Sequence, residues 1–342
     1  MDGKRYKEIT NNYANLRVAV IGDYCLDRYL EIDPSKSESS IETGLEVYNV
    51  INVRSQPGGC GTVLNNLISL GCTELYPVGF VGQDGEGFEL LTSLKANESV
   101  DLKYFLQTKE RRTFTYCKPL VINPNETPCE LNRFDSKNWT NTPETVQEKL
   151  AVNIAELAIN VDVIILLGQV DHPETGVLCG KVLHQLKQVQ FDNPELLIIA
   201  DSRSGFTDFP NACLKMNLCE FLSMLNTKVN MPIAELMRKI SYLADERGQG
   251  VFVSLSEDGI VGALPGTKAS HVAGFSCGDQ IDIVGAGDAV MANLALALAS
   301  NASAVESMNI AMAAASIVVR QLGTTGVATC NDIFSVFKNI GK

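Results

Sequence analysis

The sequence predicts an α/β domain in which a mostly parallel central sheet is covered by helices on both faces and a small antiparallel sheet projects from it. Three observations lead there. Short β-branched apolar runs alternate with segments of helical spacing along most of the chain. Strands apolar throughout are buried on both faces, and strands separated by helices pair in parallel. Two long stretches break the alternation, and no internal repeat or low-complexity linker divides the chain, so residues 1–342 form one domain with a lid.

In chain order, Leu16–Ile21 is a β-branched run ending at Gly22, as a buried central strand should. Val63 to Leu70 has helical spacing and stops at Gly71. Leu75–Phe80 predicts a strand and Gly85 to Leu94 a helix. Val161–Leu167 and Leu196–Ala200 are further buried strands, each preceded by a helical segment, and Gly250–Leu255 repeats the pattern. From Gly287 to Gln321 the chain is mostly helical. Between these elements, Tyr29 to Gln56 and Tyr104 to Phe134 alternate polar and apolar residues without a helical period. Leu45, Val47, Val50, Ile51 and Val53 show this in the first, and Phe114, Tyr116, Leu120 and Ile122 in the second. Alternation suits strands with one face open, so these stretches are expected to form an antiparallel lid or dimer surface.

Charge and composition narrow the function. Twenty-eight basic against forty acidic residues give a net charge of -12, which repels nucleic-acid backbones and anionic lipid. The longest apolar helical stretch, near 289–299, falls short of the ~20 residues that span a bilayer. Residues 1–13 are polar and do not resemble a signal peptide. Ten cysteines contain no C-x-x-C pair, and with three histidines they suggest reduced thiols packed as small hydrophobes rather than a zinc site or disulfide framework. A cytoplasmic protein without nucleic-acid or membrane partners is expected.

The sharpest local feature is Asp282-Ile283-Val284-Gly285-Ala286-Gly287-Asp288, followed at once by an apolar helix. Small residues at 285 to 287 allow a ligand close to the backbone, and N–H groups of a first helical turn cradle negative charge. A carboxylate beside such a cradle is repelled by phosphate and is suited instead to accepting a proton from a hydroxyl that attacks phosphorus. Complementing the helix dipole is the competing role for Asp288. No G-x-x-x-x-G-K-[ST] occurs, and Val290 stands where a dinucleotide fingerprint has its third glycine or alanine.

Asp282–Asp288 resembles the D-x-x-G-A-G-D motif of the ribokinase (phosphofructokinase B) family of carbohydrate kinases. The run from Pro57 to Asn66 resembles that family's glycine-rich N-terminal motif, and Val20 to Tyr29 is similar to the opening of its heptose-phosphate kinase branch. Gly323 to Ala328 resembles a loop near the family's C-terminal end. These motifs keep the family's order over residues 18 to 329. The resemblance implies a ribokinase-like three-layer α/β/α fold, ATP and Mg2+ as cofactors, and a sugar or sugar-phosphate substrate. It makes Asp288 the general base and Gly285, Ala286 and Gly287 an anion hole. Asp27 would bind sugar hydroxyls, with Gly58, Gly59 and Thr62 lining the sugar. Asn217 and Glu220 would organise magnesium and its waters, Asp282 would sit at a monovalent cation (K+) site, and Ser254, Ser256 and Gly259 would meet the nucleotide. Lys118, Arg133 and Arg203 lie near segments that line the family's substrate cleft and suit a substrate phosphate, against the plain alternative of solvated surface charge.

Several positions depart from the pattern. Thr62 replaces an asparagine, Ile283 a threonine, Ser256 a glycine, and Gly168 the aspartate of the heptose-kinase branch. Met216 and Leu218 flank Asn217 where proline and glutamate are common. These changes touch the sugar pocket and nucleotide rim and spare the base. The leading expectation is therefore transfer of the γ-phosphoryl group of ATP to a sugar or sugar-phosphate hydroxyl. A non-catalytic sugar or nucleotide sensor and a nucleoside kinase are the alternatives, and pairing of exposed lid edges suggests a homodimer.

Overall fold

A computed structural model describes residues 1–124, 127–227, 231–278 and 280–340; residues 125 and 126 of the second extended stretch lie outside that set. The predicted buried runs assemble into an eight-stranded sheet. From one edge its order is Ser270–Val272, Ile260–Ala263, Val251–Ser254, Cys213–Asn217, Leu197–Ser202, Val163–Gly168, Arg17–Gly22 and Glu74–Val78. The six strands from Val251–Ser254 to Glu74–Val78 are parallel, and the two at the first edge are antiparallel. Successive side chains point to opposite faces. Val18, Val20, Val163 and Ile165 accordingly pack with the helices Cys60–Ser69, Ala286–Ala299 and Ala304–Val318. Ala19, Ile21, Ile164 and Leu166 pack with Glu144–Leu157, Gly180–Asp192 and Ile233–Arg247 on the other face. The three-layer expectation holds.

The helix that follows the glycine-rich turn is buried over Ala289 to Ala297 without a solvent face. Its alanines permit that, since small side chains let it lie between neighbouring helices and the sheet. An apolar helix with no polar stripe belongs in a core.

Three strands escaped the sequence pattern: Cys213–Asn217, Ile260–Ala263 and Ser270–Val272. The first carries Lys215 in its centre, a residue that ordinarily argues against a buried strand. Here the ammonium is buried against Asp201 of the adjacent strand at 2.6 Å.

The two alternating stretches contribute a second, five-stranded sheet that differs from expectation in its pairing and its bounds. Tyr24–Ile32 is antiparallel to Val50–Gly59 but parallel to Phe114–Val121, which pairs antiparallel with Cys129–Glu130 and Phe134–Ser136. The sheet is thus mixed at its centre rather than antiparallel throughout. It also begins earlier than Tyr29, and Leu106–Thr108 pairs with Phe80–Gly82 rather than joining it. Leu45, Tyr48, Val50, Ile51 and Val53 are exposed, whereas Leu26 and Tyr29 are buried. The chain enters this sheet through Asp23, whose buried carboxylate accepts hydrogen bonds from the N–H groups of Gln169, Val170 and Val177 at 2.8–3.3 Å. That carboxylate ties the opening of the second sheet to the loop after Val163–Gly168.

Candidate active site

Parallel strands leave their C-terminal ends facing one crevice, where open α/β sheets bind ligands. Asp201, Lys215, Asn217 and Ser254 all lie at or near such ends, and Asn217 and Ser254 are direct neighbours across two strands. The glycine-rich turn enters the same crevice from the helix Ala286–Ala299. Gly285 caps that helix with φ +83°, a left-handed conformation that glycine adopts without steric cost. The N–H of Ala286 is engaged by the Ile283 carbonyl at 3.2 Å. Among the described residues, the N–H groups of Gly285, Gly287 and Asp288 have no such acceptor and are the ones left open at this turn.

Lys215 supplies what the sequence reading missed. A Cβ placed on Gly287 would lie 3.3 Å from the Lys215 Nζ, so a buried ammonium stands directly beside the cradle. Its pKa is raised: burial pulls it down, but the charge and hydrogen bond of Asp201 together with the charges of Asp288 and Glu220 more than offset that. The signal was present as one lysine inside the apolar run Cys213–Met216 and one aspartate closing Leu196–Asp201, but only the paired register brings them together.

Asp288 is half-buried on the first turn of the helix. Its pKa rises to about 7, chiefly from loss of water and further from the charges of Asp201 and Asp27, while Lys215 and Arg203 pull it back. Glu220 is also raised by burial and by Asp201. Two carboxylates pushed up in one crevice, with a third between them, mark a site short of positive charge. Arg203 is exposed and forms no ion pair among the described residues, yet its charge is felt at Asp288, Glu220, Asp23 and Asp171. It is thus a second cation over the crevice.

Asn217 and Glu220 form a capping box at the helix Leu218–Met224: the Glu220 N–H donates to Asn217 Oδ1 at 2.9 Å, and the Asn217 N–H donates to Glu220 Oε2 at 2.8 Å. Capping box and ligand role are compatible, since Glu220 Oε1 is left over. The Asp282 carboxylate accepts from the Val284 N–H and from the Gly323 N–H, each at 3.0 Å, and so ties the glycine-rich turn to the later loop. Ser254 is half-buried, its hydroxyl 3.4 Å from the Met216 carbonyl. Ser256 is exposed with φ +55° and Gly259 has φ +97°, which explains why a glycine suits position 256.

The acceptor side is organised differently. Asp27 and Lys118 are both buried, 3.4 Å apart, and the Lys118 Nζ also donates to the Tyr29 hydroxyl at 3.3 Å while lying over its ring. Gly58 is required here by close approach: a Cβ would sit 2.6 Å from Asp27 Oδ2. Gly59 abuts the Asp23 carbonyl in the same way. Thr62 does not line this space as expected. It is buried in the helix Cys60–Ser69, with its hydroxyl turned back to within 3.5 Å of the Pro57 carbonyl. Arg133 is exposed and paired with Asp135 at 3.2 Å, the ordinary use of a surface charge. A side chain at Gly168 would begin 2.9 Å from Ser202 Oγ, so Ser202 fills the space that an aspartate there would need.

Comparison with known proteins decides the family. The profile of the pfkB family carbohydrate kinases matches residues 16–330. This chain belongs to that family. Bifunctional protein HldE of Pseudomonas aeruginosa (strain LESB58) is 30% identical over 314 residues, covering 91% of this chain and 62% of that protein. HldE of Gluconobacter oxydans (strain 621H) is 28% identical over 313 residues with the same coverages. The chain therefore spans less than two thirds of the length of these curated relatives. Among solved structures, phosphofructokinase-2 from Escherichia coli in complex with fructose-6-phosphate superposes with a TM-score of 0.68 at 17% identity, covering 96% of this chain and 100% of that one. Arabidopsis thaliana ribokinase complexed with ribose and ATP gives 0.63 at 19%, covering 94% and 99%. Both have the same fold as this chain. No helix among the described residues is long and apolar enough to cross a membrane.

Proposed function

We propose that this pfkB-family protein transfers the γ-phosphoryl group of ATP to a hydroxyl of a sugar or sugar phosphate, with Asp288 as general base. The observation that carries the reading is the Asp288 carboxylate, held near pKa 7 beside an open N–H cradle and the Lys215 ammonium. A base poised near neutrality takes the acceptor proton as the hydroxyl oxygen attacks phosphorus and ADP departs. The N–H groups of Gly285, Gly287 and Asp288, with Lys215, hold the charge on the transferring group without reorganising. Asp27 and Lys118 orient the acceptor, one accepting from a sugar hydroxyl and the other donating to a sugar oxygen.

The excess of carboxylates fits a divalent cation. Glu220 and Asn217 would hold magnesium largely through its water, as suits an ion that keeps much of its hydration shell, and Asp201 would add charge behind them. Bound there, magnesium would neutralise charge on the ATP phosphates. No cluster of three or more His, Cys, Asp or Glu side chains suited to a metal occurs among the described residues. A structure of Escherichia coli phosphofructokinase-2 contains potassium. In this chain Asp282, which joins the turn to the Gly323 loop, is where a monovalent cation would act. The second sheet would serve as a lid over the crevice and, through its exposed strand, as a dimer surface in a cytoplasmic enzyme.

The test is ADP release with ATP and magnesium across sugars, sugar phosphates and nucleosides. Turnover with one acceptor class identifies the substrate. Nucleotide binding without turnover on any acceptor overturns the kinase reading in favour of a sensor.

A further inference from the structure

The two sides of the crevice are joined by a hydrogen-bonded chain that runs through one amide. Asp27 meets Lys118 at 3.4 Å, Lys118 donates to the Tyr29 hydroxyl at 3.3 Å, and the Gln56 Nε2 donates to the same hydroxyl at 3.4 Å. The same Nε2 donates to Thr325 Oγ1 at 3.0 Å, and Gln56 Oε1 accepts from Thr324 Oγ1 at 3.1 Å. Gln56 stands directly opposite Asp27 in the strand pair of the second sheet. Thr325 abuts the glycine-rich turn, its Cβ 3.3 Å from a Cβ placed on Gly285.

The loop carrying these threonines is fastened at both ends by the main body. Gln321 closes its base by bonds to both the N–H and the carbonyl of Val327, and Asp282 accepts from the Gly323 N–H. Its tip is fastened differently. Among the described residues the only hydrogen bonds from the second sheet to this loop are the two made by Gln56. An amide offering a donor and an acceptor to two successive hydroxyls fixes both the distance and the rotation of the tip, which a single bond does not.

We infer that Gln56 is a positioning residue that couples the acceptor site at Asp27 to the phosphoryl cradle at Gly285 by pinning Thr324 and Thr325. The inference rests on the kinase reading for its catalytic consequence, but its structural content does not. When an acceptor engages Asp27 and Lys118, the Tyr29 hydroxyl and hence Gln56 are held in place, and the turn is set where the phosphoryl group must pass. A displacement of about 1 Å at a reacting centre costs up to roughly 10²-fold in rate, so a small loosening of this tip is sufficient to matter.

Two measurements on Gln56→Ala and on Thr324→Val/Thr325→Val test it. The first is amide hydrogen exchange over residues 322–326 with and without the sugar or sugar phosphate that releases most ADP in the panel above. In the parent protein an acceptor slows exchange there; in either variant the basal rate rises by roughly tenfold, the scale of one lost hydrogen bond, and the acceptor effect disappears. The second is steady-state kinetics: kcat falls roughly tenfold or more in either variant while the acceptor KM stays within about twofold, and the combined variant loses no more than either alone. A role confined to folding would instead lower Tm and leave kcat of the folded protein unchanged. Unchanged exchange in Gln56→Ala, or additive losses in the combined variant, overturns the coupling whatever the substrate proves to be. Absence of turnover in the parent protein would overturn the kinase reading and leave the exchange result to decide the coupling.

Discussion

Asp27 and Asp288 are carboxylates facing one crevice, and their surroundings have made them different groups. Asp27 is buried on the second sheet with an ammonium 3.4 Å away, and that lysine is itself braced by the Tyr29 hydroxyl and ring. Asp288 lies on a helix turn where, among the described residues, no side chain donates to its carboxylate. The charge that most favours its ionised form, Lys215, is committed to Asp201 at 2.6 Å. Burial without a dedicated partner raises a carboxyl, as at Asp288. The same side chain thus stands in an ion pair at one end of the crevice and without a dedicated donor at the other.

The comparison breaks most clearly at Asp288. Asp288→Asn is expected to lower turnover by on the order of 10²–10⁴-fold, because an amide does not take the proton, while acceptor binding persists. Acceptor titration of the variant checks both halves. If Asp27→Asn costs as much in kcat as Asp288→Asn, the division of labour is wrong. The variant should also unfold at higher temperature than the parent above neutral pH. The folded pKa of Asp288, about 7, exceeds its ordinary 3.8, so its favourable contribution is present below about 4 and is lost as pH rises through about 7.

pH sharpens the difference further. With Asp288 protonated below about 7, kcat/KM should fall close to tenfold per unit on the acid side. Lys215 holds that pKa down, so Lys215→Met should move the acid limb to higher pH in a rate profile measured on folded protein. A limb that stays in place would show that Lys215 does not act on the base.

Lys118→Met removes the partner of Asp27 while keeping bulk. Its main effect should be a rise in acceptor KM of roughly 10- to 100-fold, with a smaller change in kcat, read from initial rates. A loss in kcat alone would place Lys118 with the phosphoryl group instead. The smallest effect concerns the loop after Val251–Ser254. Ser256→Gly relieves a left-handed serine and should change stability by no more than about 1 kcal/mol in the favourable direction, measured by denaturant unfolding.

The sequence by itself determined the alternation of buried strands and helices, and with it the crevice at the strand ends. Apolar β-branched runs and helical spacing are local properties that few tertiary arrangements satisfy. It also determined the glycine-rich turn and Asp288, because a helix N-terminus after small residues is a local anion cradle. Tertiary structure alone decided which groups answer that cradle. Lys215 and Asp201 are separated by fourteen residues and meet because their strands are adjacent. Lys118 reaches Asp27 across a parallel pairing that alternation cannot distinguish from an antiparallel one. Gln56 reaches Thr324 and Thr325 across 268 and 269 positions. The Ala286 N–H, expected in the cradle, is taken by the Ile283 carbonyl through a turn whose dihedral angles no spacing reveals. Periodicity records which face of an element is buried, but the partner of a buried charge is fixed by register and by the path of distant loops.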